Sequence, residues 1–301
     1  MNYAAFIITY KRTEILLNTI KLLLSQSLPP KKVLIIDNDP GLSAKSLKNI
    51  FRDNNIEYFP VGKNVGPAGA AHIGLTILSS EGWQWILWMD DDDPPSSKNQ
   101  IECIFSILNL YNNKDIIGVI GASGVYFDLR TCLISRIPNH SLNGVVEVDN
   151  IAGNQFAIYN KNVIDAGLLP NEKIFFGFEE LEYQLRIKDN GYKLLVNADE
   201  VLRLRKHFNR DIQNNFGHKK RKKSALWRKY YSTRTLTFIS NKYNNKGKNF
   251  KFILNQFLFS FFAFRYGFVY GYLNVYYTLK GLYDGIFQRF GLRVNPILKT
   301  N

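Results

Sequence analysis

Residues 85–95 read Trp85-Ile86-Leu87-Trp88-Met89-Asp90-Asp91-Asp92-Asp93-Pro94-Pro95. Five apolar residues run straight into four carboxylates, and two prolines close the stretch. An apolar run this short, rich in Ile and Trp, reads as a strand buried on both faces. The carboxylates then sit at its C-terminal end, the edge where open α/β sheets place their ligands. Adjacent anions repel, so their proximity raises some of their pKa values unless a cation lies among them. Hard oxygen donors suit Mg²⁺ or Mn²⁺, with phosphate oxygens completing the shell. The plainer reading is a solvated acidic turn, but such turns rarely follow so hydrophobic a strand.

Upstream, residues 4–9 form an apolar strand ending in Thr9-Tyr10-Lys11-Arg12, and residues 14–24 have helical spacing. Residues 33–36 are a second strand ending in Asp37-Asn38-Asp39-Pro40-Gly41. A short helix is expected at 44–51, a third strand at 56–61, and a turn at 62–69 leading into a helix through Leu78. Downstream, residues 98–111 read as one helix with Ile101, Ile104, Phe105 and Leu108 on one side. Residues 116–127, broken by Gly118, Gly121 and Gly124, read as a strand and its turn; short β-like pieces follow at 131–137, 145–148 and 157–159, with a turn of helix at 163–169. A helix at 179–188 ends at Asn190-Gly191, and strands at 192–196 and 201–204 close the sheet. This alternation predicts an α/β fold, a mostly parallel sheet flanked by helices.

The chain of 301 residues carries a net charge of +14, and residues 201–250 hold 15 Lys or Arg against one acid, Asp211. The rest is balanced. A basic block so localised points to an anionic surface. The two cysteines, Cys103 and Cys132, give neither a disulfide framework nor a metal-knuckle spacing, which suits a reducing compartment. The first residues lack a basic n-region and a cleavage site and read as a first strand.

Further candidates flank the acidic run. Asp37, at a strand tip, can accept from a base N–H or a ribose hydroxyl, or simply cap a turn. Asn64-Val65-Gly66 precedes a helix whose first N–H groups can face a nucleotide. Arg12 can meet a diphosphate bidentately or face solvent. Glu179-Glu180-Leu181-Glu182-Tyr183 starts a helix, where the dipole favours carboxylates in any case. The functional alternative is a general base for an attacking hydroxyl, beside Phe175, Phe176 and Phe178. Leu181 and Leu185 face the core, and Glu182 pairs with Arg186 on the surface. His207 follows Arg203, Arg205 and Lys206 and matters only if it passes the acidic run, where imidazole can join a metal shell.

In order and spacing, these pieces resemble the inverting nucleotide-sugar glycosyltransferases of family 2, which have the GT-A fold. The matching stretches are Thr9-Tyr10-Lys11-Arg12, Ile35-Ile36-Asp37-Asn38, Asn64-Val65-Gly66, Met89-Asp90-Asp91-Asp92, and Phe178 to Tyr183 followed by Gly191-Tyr192. They cover about two thirds of the chain. The triple-Asp form and Lys229-Tyr230-Tyr231-Ser232-Thr233-Arg234 resemble bacterial galactofuranosyl- and rhamnosyltransferases of surface polysaccharide synthesis. The resemblance implies a catalytic domain over 1–207, with a nucleotide-sugar half at 1–95 and an acceptor half at 96–207. A basic, aromatic-rich helical region at 208–301 follows. It implies donor contacts from Thr9, Tyr10, Arg12, Asp37, Asn64, Gly66, Asp90 and Asp91, and a Mn²⁺ or Mg²⁺ ion held by Asp90 and Asp92. Glu180 becomes the catalytic base with Glu179 beside it. The family often has a histidine where Leu204 stands here, so His207, three residues on, is the metal-ligand candidate.

Residues 250–287 hold 15 Phe or Tyr, and neither uncharged run there reaches the ~20 residues that cross a bilayer. Aromatics beside a basic block suit helices lying in anionic headgroups, which fits a polyprenyl-linked glycan acceptor at the inner face of the cytoplasmic membrane. A helical lid or a homo-oligomer interface is the other use of such a region. Two rivals are weaker. A sugar-phosphate nucleotidyltransferase needs a Gly-rich loop after the first strand, and Thr9 to Thr13 has no glycine. A nucleic-acid binder leaves the aspartates and the paired glutamates without a purpose, so no nucleic-acid partner is expected.

Overall fold

The computed structural model describes residues 1–41, 55–210 and 220–295, and the helix expected at 44–51 lies outside them. Strands β1 (Ala4–Thr9), β2 (Lys32–Asp37), β3 (Ile56–Pro60) and β4 (Trp85–Asp90) form a parallel block in the order β3-β2-β1-β4. The same sheet continues from β4 through β9 (Ala157–Asn160), β5 (Ile117–Gly121), β10 (Lys193–Asn197) and β8 (Val145–Glu147). β9 is antiparallel to β4 and β5, and β8 to β10, while β5 and β10 are parallel. A hairpin of β6 (Val125–Asp128) and β7 (Leu133–Arg136) stands apart.

Side chains alternate across a strand, and β4 shows what that alternation does here. Ile86 and Trp88 join the core that holds helix α2 (Gly66–Ser80) through Ala70, Ala71, Leu75 and Leu78. Trp85, Leu87 and Met89 join the opposite core, with Leu16, Ile20 and Leu23 of α1 (Thr13–Leu24). Asp90 shares the parity of Trp88, and Asp91 that of Met89.

Two expected elements differ. Residues 98–111 divide into α3 (Gln100–Phe105) and α4 (Ile107–Leu110), split at Ser106. The Ser106 hydroxyl donates to the Cys103 carbonyl (2.7 Å) and accepts from Asn197 (3.0 Å), a local bond that competes with the helix ladder. The four apolar residues are nonetheless all buried. Residues 201–204 are not a strand. They belong to helix α7 (Ala198–His207), which Asn197 caps by accepting from Asp199 N–H (2.9 Å). Asp199 and Glu200 in its first turn and Arg205, Lys206 and His207 in its last suit the helix dipole. That chemistry outweighs the strand-like Val-Leu-Arg-Leu spacing.

Between these elements lie α5 (Lys161–Asp165) and α6 (Glu179–Asp189). The C-terminal helices α8 (Trp227–Tyr243), α9 (Lys246–Phe261) and α10 (Phe268–Ile286) pack against α6 and the loop before it. Leu181 and Leu185 of α6 meet Ile239 and Phe252 there. Gly281 and Gly285 let α10 reach α8 closely, since a Cβ at either would fall 2.6 Å from a carbonyl oxygen of Tyr230 or Arg234. Among the described residues, no helix is long and apolar enough to cross a membrane.

Candidate active site

Asp91 is 2% exposed and faces the β1–α1 connection. Its Oδ2 accepts from Thr9 Oγ1 (2.8 Å), its carbonyl from Thr19 Oγ1 (2.6 Å), and Arg12 lies 3.3 Å from Oδ1. Burial raises its pKa to about 6, with Arg12, Thr9 and the Tyr10 N–H acting in the opposite sense. Asp92 is half-exposed and takes a hydrogen bond from the same guanidinium. Thr9, Tyr10 and Arg12 therefore converge on the acidic run, and Asp91 is the anchor of that loop.

Asp90, on the other parity, faces α6. The position a Cβ would take at Gly153 is 3.4 Å from Glu180 Oε1, 3.5 Å from Trp88 Nε1 and 3.7 Å from Asp90 Oδ2. The two acidic clusters thus meet across one cleft, with less than twice 3.7 Å between Asp90 and Glu180. A side chain at 153 would fill the space between them. Gly153 N–H donates to Glu180 Oε1 (3.2 Å). Burial, then the charges of Glu180 and the neighbouring aspartates, push the Asp90 pKa well above the carboxylate range. Burial also raises Glu180, but its own N–H at the helix start and that of Gly153 hold it back. Glu179 is 6% exposed and goes well above the ordinary range through burial and the charge of Glu180, and its Oε2 has no partner. Of the pair, Glu180 is the one equipped to be a carboxylate that accepts a proton. Glu182 does pair with Arg186 (2.9 Å), but it is buried rather than at the surface, because α8 covers it and brings Lys242 to 3.8 Å.

Asp37 is fully buried, accepting from Asp39 N–H (2.9 Å) and Tyr58 OH (2.8 Å). Asn64 Oδ1 accepts from Gly66 N–H (2.9 Å) and so shapes the start of α2. Gly66 has φ +72°, and a Cβ there would overlap the Phe175 carbonyl oxygen at 2.1 Å. Only glycine fits, because the loop carrying the aromatic residues lies directly on that turn. Phe175 and Phe176 pack on Trp227 and Tyr231 rather than forming a free wall.

A cavity of about 510 Å³ opens at the carboxyl edge of the sheet, with Asp93, Asn154, Gln155, Arg136, Arg205 and Arg210 in its lining. Leu204 and Phe208 line it, whereas His207 is exposed on the last turn of α7 with its ring against Phe208. The structure therefore does not bring His207 to Asp90 and Asp92. Leu204 comes near as a helical residue, not at a strand end.

The donor set fits a hard divalent cation. Asp90, Asp92 and Asp93 crowd one another, and burial or mutual repulsion raises the pKa of Asp90 and Asp93. Among the described residues no three His, Cys, Asp or Glu side chains form a ready cage. Phosphate oxygens from a substrate would have to complete the shell, as Mg²⁺ sites often require.

Sequence reasoning missed three participants. Gly153 carries no motif, the Trp88 N–H is buried without a partner beside both carboxylates, and Gln184 binds Ile151 and Tyr159 under the cleft. Only Trp88 had a signal, its shared parity with Asp90.

The profile described as glycosyl transferase family 2 matches residues 4–131. Galactofuranosyltransferase GlfT1 of Mycolicibacterium smegmatis is 21% identical over 200 residues, 62% of this chain and 65% of that protein. GlfT1 of Mycobacterium tuberculosis is 20% identical over 197 residues, 62% and 64%. The match thus spans just under two thirds of these curated relatives. Among solved structures, S. aureus TarS 1–349 is similar at 12% identity and TM-score 0.51, covering 96% of this chain and 92% of that one. The mannosyltransferase PcManGT of Pyrobaculum calidifontis, solved with GDP-Man and Mn²⁺, gives 10% and 0.53, covering 96% and 88%. At these identities the likeness establishes the fold, which is GT-A.

Proposed function

We propose that this chain, whose residues 4–131 match the glycosyl transferase family 2 profile, transfers a sugar with inversion from a nucleoside-diphosphate donor to a glycan acceptor. The observation that carries this reading is the meeting of Asp90 and Glu180 around Gly153. Asp90 and Asp92 would hold Mn²⁺ or Mg²⁺, which would supply positive charge against the departing nucleoside diphosphate. Thr9, Tyr10, Arg12, Asp37, Asn64 and Gly66 lie along the β1–β3 edge and the start of α2, where the nucleotide would bind. Glu180 takes the proton of an acceptor hydroxyl as that oxygen attacks the anomeric carbon. A single displacement from the far face inverts the configuration and needs no covalent sugar–enzyme intermediate.

The names of the curated relatives support a galactofuranose donor, and rhamnose, from the sequence resemblance alone, is the second choice. The setting we favour is bacterial surface polysaccharide synthesis, with the enzyme peripheral at the inner face of the cytoplasmic membrane and a polyprenyl-linked glycan as acceptor. The exposed aromatic residues of α9 and α10 support that placement, with Phe259 65% and Phe268 76% exposed. A screen of nucleotide sugars with Mn²⁺, reading nucleoside diphosphate release, tests the function. Acceptor-dependent release from one donor is expected, and no release from any donor contradicts the proposal.

A further inference from the structure

A second cavity, of about 370 Å³, is lined by Phe176, Arg221, Lys222, Ala225, Arg228 and Ser232. Phe176 belongs to the loop that becomes α6 three residues later, at Glu179. Arg228 lies over the rings of Phe176 (5.7 Å) and Trp227 (5.5 Å), and Lys229 Nζ donates to Gln256 Oε1 (3.1 Å), so neither cation meets an acid there. Burial and then the charge of Arg228 lower the pKa of Arg221, and burial and then Arg221 lower that of Lys229 to about 8. Among the described residues, no ion pair is formed by Arg221, Lys222, Arg228 or Lys229. Arg228 and Lys229 also occupy the first turn of α8, whose N-cap residue, Leu226, supplies no side-chain acceptor. A helix dipole disfavours cations there and favours an anion. Beside them, Lys220 lies over the rings of Tyr266 (5.1 Å) and Tyr270 (5.4 Å). The two tyrosines stack edge-on at 5.5 Å, and Phe262 and Phe268, in the same stretch of chain, are exposed. A cationic cavity therefore adjoins an apolar surface on one side and the catalytic loop on the other.

We propose that this cavity holds the diphosphate of a lipid-linked acceptor, with the isoprenoid chain along the aromatic face and the sugar directed to Glu180. The proposal rests on the transferase reading, but its test does not require turnover. Geranylgeranyl diphosphate is titrated into the full-length protein in detergent with EDTA present, alongside inorganic pyrophosphate and geranylgeraniol. Saturable binding of the diphosphate lipid is expected, weakened at least about tenfold in the triple variant Arg221→Gln/Lys222→Gln/Arg228→Gln. The free alcohol should bind more weakly by a similar factor, and inorganic pyrophosphate more weakly still. Asp90→Asn and Glu180→Gln should keep the lipid affinity. Native affinity in the triple variant, or equal binding of alcohol and diphosphate, overturns the proposal. Equal binding of pyrophosphate and lipid diphosphate overturns its lipid component, and loss of binding in Asp90→Asn moves the ligand to the catalytic cleft. Failure of every donor to react, with cation-dependent lipid binding intact, counts against the transferase reading and leaves this site standing.

Discussion

At the end of β4 the side chain of Asp90 follows Trp88 toward Gly153 and Glu180, while Asp91 turns back to Thr9 and Arg12. Neighbouring carboxylates thereby take different work, and substitutions should separate them. If Glu180 is the proton acceptor as proposed, Glu180→Gln should lower turnover roughly 10²–10⁴-fold. Glu179 is already driven toward its neutral form, so Glu179→Gln should cost far less, and steady-state rates compare the two. Because burial raises the Glu180 pKa, its carboxylate forms only above the usual range. The rate should therefore rise with pH through that raised value, and Glu180→Asp should move this limb. Asp91 bears on stability instead. Its folded pKa of about 6 exceeds the unfolded value of about 3.9, so the folded state holds its proton more tightly. That contribution is complete below about 4 and is lost as pH rises through about 6. In EDTA, Tm should fall across this window, and Asp91→Asn should flatten the fall.

The helix α6 that presents Glu180 is held from outside the sheet domain. Arg234 of α8 is fully buried and donates to the carbonyls of Ile174 and, at 2.9 Å, Gly291, while lying over the ring of Tyr231. It ties the loop before α6 to the segment after α10, and the Lys173 carbonyl accepts from Gly291 N–H (2.7 Å). Arg234→Met leaves those carbonyls without a charged donor. We expect a loss of about 2–5 kcal/mol in chemical denaturation, with kcat falling as the loop loosens. Elements are legible where one period dominates: the apolar run locates β4, and the spacing at 179–188 locates α6, each within a residue or two. Residues 201–204 misled because alternation over four residues also fits one turn of helix, and only the Asn197 cap decides between them. The buried place of Arg234 was not legible, since a cation in a basic stretch looks solvated until tertiary contacts surround it.

Across the whole molecule, the acidic clusters could be anticipated because each concentrates charge in a few consecutive residues. Their meeting at Gly153 could not, because it depends on β9 entering antiparallel between β4 and β5 and delivering residues 153–155 to the cleft. The same scale sets the membrane prediction. Wild-type protein should float with anionic liposomes at low salt, and replacing Phe259, Phe262 and Phe268 by Ser should leave it in the soluble fraction. Wild-type protein that stays soluble at low salt rules the placement out. The most direct measurement of the shared cleft is calorimetric titration of the donor nucleotide sugar with Mn²⁺, run beside turnover, in Asp92→Ala and Glu180→Gln. Both variants should fail to transfer, with metal-dependent donor binding weakened only in Asp92→Ala. Near-native turnover in Glu180→Gln would contradict the assignment of the base and, with it, the pairing of the two acidic clusters in one reaction.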